Sequence, residues 1–292
     1  MESTDAMLSR YQQRFEEKIK HSVQHFPDCG PLSKACEYAL LNGGKRFRPS
    51  LVLMFADALG HGADVTGAAL AIEYFHIASL VVDDLPSMDD DDLRRSKPST
   101  HKVYGEATAL LVSYALIAVG YSNIAISARA VKDAQHLIKS DSNLLGMLAL
   151  ENATYNTGLM GATGGQFLDI FPPNLDLLTL RDVIHKKTVS LFEIAFVFGW
   201  LFGGGNPEVL NVVKRAASHF GMAFQIVDDL DDMIQDAKNE RKVNMAIVFG
   251  LEAAQQMLRE EITGYLAALK ELNLESKALL GIARWLEGQV FN

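Results

Sequence analysis

Cysteine, proline and net basic charge are all scarce in this sequence. Two cysteines, Cys29 and Cys36, are too few for a disulfide framework and fit a reducing compartment, so a cytoplasmic setting is expected. Eight prolines in 292 residues leave long stretches without a helix breaker. The formal charge of −9 excludes a general nucleic-acid or anionic-membrane surface. An anionic ligand would therefore have to be held locally, by clustered Arg and Lys or by metal ions. Period-two alternation, the mark of a half-buried strand, is rare. The opening MESTDAMLSRYQQRFEEKIK carries acids and no apolar run, and is not read as a secretory signal. Low-complexity tracts, charged linkers and short repeats are lacking, so residues 1–292 read as a single domain.

One stretch lacks charge altogether. Residues 107–128 are long enough to cross a bilayer. They include Thr108, Ser113, Ser122, Asn123 and Ser127, however, so they are read as a buried central helix, with no membrane span.

What is present is apolar material, 49% of residues against 22% charged, repeating at intervals of three and four. Helices are expected near 4–25, 31–42, 49–60, 64–85, 106–129, 142–161, 177–203, 207–237, 247–270 and 275–289. Asp176 and Asn206 occupy N-cap positions, the latter followed by Pro207. Gly60 and Gly250 fall where helices stop or start. The simplest architecture is all-α: one bundle of about ten helices around a central cavity. The segment VSLFEIAFVFGWLF, 189–202, is apolar all round and must be enclosed by neighbours.

Certain polar residues break the core pattern. In GMAFQIVDDLDD, Gln225, Asp228, Asp229 and Asp232 fall at i, i+3, i+4 and i+7 and share one helical face. Ala223, Ile226 and Val227 line the other side. Carboxylates this close repel and shift one another's pKa unless a cation neutralises them. Hard oxygen donors at this density suit Mg2+. Alone, the run could be a solvated acidic face. A second cluster, DDLPSMDDDDLRR, follows another apolar helix. Asp83 and Asp89 are six apart and lie on different faces of an intact helix. Pro86 ends the helix, and the resulting turn can bring both acids to one metal. Asp90, Asp91 and Asp92 read as solvated. Arg94 and Arg95 come next, so acids and forked cations stand side by side, as phosphate oxygens require.

Three weaker signals add to these. Gly43-Gly44-Lys45-Arg46-Phe47-Arg48-Pro49 links two helices, with glycines for close backbone approach and cations for an anion. Lys186-Lys187-Thr188 interrupts an apolar helix. His76 lies seven residues before Asp83, nearly two turns, and so shares its face. Each alone is as well explained by a surface loop or a structural histidine.

Together these motifs resemble the trans-type short-chain polyprenyl diphosphate synthases, the family of farnesyl and geranylgeranyl diphosphate synthases. The resemblance covers roughly residues 30–250 and rests on GGKRFRP, DDLPSMD at 83–89, the Arg pair, KT at 187–188, GGQFLD, FQ at 224–225 and DDLDD at 228–232. It implies an isoprenoid-synthase bundle, a homodimer, and three Mg2+ ions bridging the two Asp motifs to an allylic diphosphate. Condensation with isopentenyl diphosphate would then give an all-trans C15 to C20 product. By matched position, Asp83, Asp89 and Asp228 are the expected metal ligands, supported by Asp84, Asp229 and Asp232. Arg94, Lys187 and Lys242 fall to the allylic diphosphate. Lys45, Arg48, His76 and Arg95 fall to isopentenyl diphosphate. Thr188 and Gln225 are expected beside the reacting carbons, with Gln166 near the pocket.

The sequence departs from relatives at Val82, where many have His, at Ser96, where Gly is usual, and in a shorter QDAKNERKVNMAIVFG loop after the second motif. Product length is expected to depend on the helix ending at Asp83. Ser79 lies about 6 Å and Phe75 about 12 Å below that residue. Ala78 and Ser79 are small, where C15 makers often carry an aromatic residue, so geranylgeranyl diphosphate is favoured over farnesyl diphosphate. A class I terpene cyclase, a non-catalytic synthase subunit and a plain helical scaffold are the competing readings. Lys45 and Arg48 speak against the first, the complete set of aspartates against the second, and carboxylates along an apolar helix against the third.

Overall fold

A computed structural model of the chain describes residues 3–134, 140–174, 176–233 and 244–291. Lys242 and most of the shortened loop lie outside the described residues. The expected all-α class is observed, with one two-stranded hairpin as its β element among them.

Helix α1 (Thr4–Val23) starts where the Ser3 hydroxyl accepts from the Ala6 amide at 3.2 Å. Helix α2 (Pro31–Leu40) opens on proline at its first position. Helix α3 (Phe47–Leu59) ends on Gly60 in the left-handed conformation. Helix α4 (Thr66–Asp83) stops just short of Pro86, as the proline requires.

A tight hairpin then pairs β1 (Leu93–Arg94) with β2 (Lys97–Pro98). Its two turn residues, Arg95 and Ser96, both have positive φ, 55° and 64°. A two-residue turn needs this twist to match the strands. The hairpin and the short helix α5 (Thr100–Tyr104) were not anticipated: two-residue strands carry no legible alternation.

The long helix α6 (Glu106–Asp133) is followed by α7 (Ser142–Thr157), capped by Asp141. The sequence reading ran α7 on to 161. Instead it ends before Gly158, and a separate helix α8 (Ala162–Ile170) begins. Helix α9 (Leu177–Ile184) is capped by Asp176, whose carboxylate accepts from the Thr179 amide at 2.8 Å. A π-helical turn (His185–Val189) joins it to α10 (Ser190–Phe202). Asn206 and Pro207 open a single 3-10 turn leading into α11 (Leu210–Asp231). Helices α12 (Met245–Phe249), α13 (Leu251–Glu271) and α14 (Lys277–Phe291) complete the bundle.

Helix α10 is the axis. All of its side chains are buried, as its all-round apolarity demanded. It packs against α3, α4, α7 and α11. Gly199 allows the close approach to α3, since a Cβ there would stand 2.7 Å from that of Phe55. Glu193 is α10's one buried acid. It accepts from the side-chain amides of Asn152 and Asn156 at 2.6 and 3.0 Å, pinning α7 to the axis. Two described helices, α4 and α6, are long and apolar enough to cross a membrane; the apolar windows are 61% and 39% buried within the bundle.

Candidate active site

The site forms where the C-terminal ends of α4 and α11 meet the loop before α3 and the π-turn before α10. Each wall has its own local cause.

At the end of α4 the chain turns at Pro86, and the Asp89 amide donates to the Asp83 carbonyl at 2.9 Å. The turn thus brings Asp89 back beside Asp83, as the spacing predicted. Burial pushes the Asp83 carboxyl up to about 7, with Lys187 opposing and Asp89 adding to the rise. Asp84 points elsewhere. It is buried and accepts from Nε of Arg94 at 2.7 Å and from the same guanidinium's Nη2. Arg94 also reaches Asp91 at 2.9 Å. Arg94 therefore clamps the acidic turn in place.

The loop before α3 is anchored from beneath. Arg46, fully enclosed and at φ 44°, forms ion pairs with Glu16 and Glu73, each at 2.6 Å. Neither partner was singled out in the sequence, where Arg46 looked like one more loop cation. This anchor leaves Lys45 exposed and turns Arg48 inward. Gly44, at φ 118°, lies under the Arg95 guanidinium, which donates to the Gly43 carbonyl; any Cβ on Gly44 would occupy that guanidinium's place. Arg48 stacks over the Phe192 ring at 4.4 Å and stands 3.5 Å from Nε2 of His76. Burial lowers the Arg48 guanidinium to about 10. Burial and the surrounding Arg48, Arg95, Arg46 and Arg94 hold His76 well below its ordinary value, so it is a neutral hydrogen-bonding group.

On α11, burial raises Asp228 to about 6, against the pull of Lys45 and Arg48. Asp232 is exposed at the helix end. Asp229 faces inward: its oxygens accept from Nε2 of Gln225 and from the Met245 amide, both at 2.8 Å. Gln225 in turn accepts from the Thr188 hydroxyl at 2.7 Å. A continuous chain Thr188–Gln225–Asp229–Met245 thus ties the π-turn to α11 and α12.

Lys187 pairs with Asp169, the last residue of GGQFLD, which the sequence reading passed over in favour of Gln166. Gln166 has both amide heavy atoms buried without a partner. Phe75 packs on Tyr121, ring centroids 4.9 Å apart, and presses against Gly120. Ala78 is buried and Ser79 partly exposed.

Six of the seven acids in the two motifs were expected at the site; of these, Asp84 and Asp229 are engaged by protein donors. Asp83, Asp89, Asp228 and Asp232 remain for a ligand. An all-oxygen set, with two members driven up chiefly by burial, fits a hard divalent ion. Lys187 and Arg94 act on Asp83, and Lys45 and Arg48 on Asp228. An all-α protein with this arrangement offers oxygen donors that suit divalent cations beside guanidinium and ammonium groups that suit an anion.

The comparisons narrow the class. The chain belongs to the polyprenyl synthetase family, whose profile matches residues 30–248. It is 32% identical to geranylgeranyl pyrophosphate synthase 12, chloroplastic, of Arabidopsis thaliana over 77% of this chain and 65% of that protein. It is 36% identical to a dimethylallyltranstransferase of Fischerella ambigua over 78% of this chain and 64% of that protein. The chain spans about half to two thirds of the length of the first curated relatives it matches. Among solved structures, an FPP/GFPP synthase of Zymomonas mobilis superposes with a TM-score of 0.80 at 29% identity, covering 97% of this chain and 98% of that one.

Proposed function

We propose that the chain, as one synthase domain over 1–292, joins isopentenyl diphosphate to an allylic diphosphate and releases a longer all-trans prenyl diphosphate. The observation that carries this reading is the pair of carboxylates raised to about 7 and about 6, Asp83 and Asp228, at helix ends bordered by Lys187, Lys45 and Arg48. Acids so placed are costly to the fold by themselves and productive only with cations bound.

Asp83, Asp89, Asp228 and Asp232 would hold Mg2+, in the family manner three ions. When bound, these supply Lewis-acid stabilisation of the diphosphate that departs from the allylic carbon. Lys187, with Arg94 behind it, takes a share of the charge that grows as the C–O bond breaks. Lys45, Arg48, Arg95 and neutral His76 bind the diphosphate of the second substrate, His76 through hydrogen bonding alone. Its double bond then attacks the allylic cation, and the proton lost passes to the departed diphosphate. Thr188 and Gln225, held by Asp229, face the reacting carbons as dipoles and keep water from the cation. Phe75 with Tyr121 forms the floor of the product tunnel, and the C20 product is favoured.

A homodimer completes the reading. The outer faces of α6 and α7 expose Leu111, Tyr114, Met147, Leu150 and Tyr155, an apolar strip suited to a second copy. Incubation with Mg2+, labelled isopentenyl diphosphate and dimethylallyl, geranyl or farnesyl diphosphate tests the whole reading. Chain elongation is expected. Cyclised hydrocarbon from the allylic substrate alone would favour a terpene cyclase, and no turnover a non-catalytic subunit.

A further inference from the structure

The acidic run after Asp89 has a role that the substrate centre leaves unassigned. The chain reverses at Asp90, at φ 53°, and enters the hairpin. It returns where the Ser99 amide donates to the Asp92 carbonyl at 2.9 Å, docking α5 against the run. His101, on α5, thereby meets the acids. One of its ring nitrogens and one oxygen from each of Asp90 and Asp92 all lie within 4.8 Å of one another. Both carboxylates are exposed, whereas His101 is only 6% exposed.

The imidazole is oriented by a relay. The Ser99 hydroxyl donates to the Asp92 carbonyl at 3.3 Å and so accepts from Nδ1 of His101 at 3.1 Å. That assigns the proton to Nδ1 and the lone pair to Nε2. Nε2 is sealed from solvent and has no hydrogen-bond partner. A buried acceptor without a donor is unfavourable, and a ligand on that nitrogen would satisfy it. A ring nitrogen whose other nitrogen is fixed by a hydroxyl or carbonyl is the usual state of a metal-binding histidine.

We infer that Asp90, Asp92 and His101 form a divalent transition-metal site, separate from the substrate centre, that clips the arginine-bearing hairpin to α5. One imidazole and two carboxylates suit Zn2+, Co2+ or Mn2+ better than Mg2+, which seeks oxygen alone. Tetrahedral bonds of about 2.1 Å set ligand atoms about 3.4 Å apart, with water as the fourth ligand. The three ligand atoms, all within 4.8 Å of one another, must therefore close by up to about 1.4 Å, through rotation of the two exposed carboxylates. Lys102 holds one oxygen of Asp92 at 2.6 Å and leaves the other for the ion. Arg94 pairs with Asp91, the residue between the two acidic ligands, so an ion here stiffens the hairpin from which Arg94 and Arg95 project.

The test reads metal uptake by the full chain and is independent of prenyl transfer. Metal-stripped protein is kept in millimolar Mg2+, which occupies the substrate centre, and titrated with Co2+ while the visible band of a low-coordinate site is followed. One Co2+ per chain is expected. Asp90→Asn, which keeps a residue tolerant of positive φ, should weaken uptake by at least roughly tenfold. His101→Gln should do the same, and Asp83→Asn should leave uptake unchanged. If His101→Gln fails to fold, Asp90→Asn together with Asp92→Asn decides. No uptake by the parent protein, full uptake by Asp90→Asn, or uptake lost in Asp83→Asn would each overturn the site.

Discussion

In the metal-free protein, Asp83 is a charge that the fold holds at a cost, and Asp83→Asn removes it without changing side-chain volume. The carboxyl rises from 3.8 to about 7 in the folded state. At about 1.4 kcal/mol for each tenfold in proton affinity this corresponds to about 4 kcal/mol, an upper bound. Water reaching a site at a helix end reduces that to about 1–3 kcal/mol. Its sign follows from linkage. Below pH 4 both folded and unfolded chains carry the proton, and variant and parent are equally stable. Between about pH 4 and 7 the unfolded chain ionises while the native one keeps its proton, so parent stability falls as pH rises. Above about pH 7 the penalty is complete and constant. Asp83→Asn should therefore match the parent near pH 4 and melt several degrees higher near pH 8, at about 2–4 °C for each kcal/mol. Calorimetry in EDTA across this range measures the difference. Adding Mg2+ and inorganic diphosphate should reverse the order, and turnover of the variant should fall by roughly a hundredfold or more. A variant less stable than the parent at pH 8 in EDTA, or a gain as large at pH 4 as at pH 8, would refute the reasoning.

Arg48→Ala and Arg95→Ala should each weaken isopentenyl diphosphate binding by roughly tenfold or more, and that of the allylic ligand less, because a forked, charge-assisted contact is lost; the opposite order in isothermal titration would exchange the two substrate assignments. Ala78→Tyr should shorten the product by filling the tunnel above Phe75, as read by chromatography of dephosphorylated products. An unchanged distribution would mean that the growing chain does not descend along α4. Ser96→Gly should raise stability by up to about 1 kcal/mol, because φ of 64° strains a serine and not a glycine; denaturant unfolding measures it, and a loss would show that the serine side chain, not the turn, matters there.

The helices were legible because their apolar residues repeat at three and four, and α10 because no polar face interrupts it. The carboxylate stripe on α11 followed from spacing alone, and Pro86 foretold the turn that returns Asp89 to Asp83. What spacing could not show is which acid faces a ligand and which faces a donor. Asp84 and Asp83 are neighbours in sequence, yet one is spent on Arg94 and the other is not. Asp229 is consumed by Gln225 and a backbone amide from α12, a contact across the loop that no local pattern encodes. Arg46 and Asp169 escaped notice because an ion pair between distant segments looks, in sequence, like two unrelated surface charges. Asp90 and Asp92 were read as solvated because their partner, His101, arrives only after an unforeseen hairpin.

The π-turn at 185–189 fits one more residue into its turn than an α-helix allows, with the Ser190 amide bonded to the His185 carbonyl five residues back. One surplus residue rotates everything beyond it by about 100° relative to the α9 register. Thr188 is thereby phased towards Gln225. Helix α10 is bound to one angle by Glu193, which must face Asn152 and Asn156, and by Gly199, which must face α3. The surplus residue therefore lets the π-turn and the axis each keep the phase that its own contacts require. Deleting one residue from His185–Val189 would turn α10 by about a quarter revolution. Such a deletion should destabilise the bundle, because Glu193 would leave Asn152 and Asn156 and Gly199 would leave Phe55.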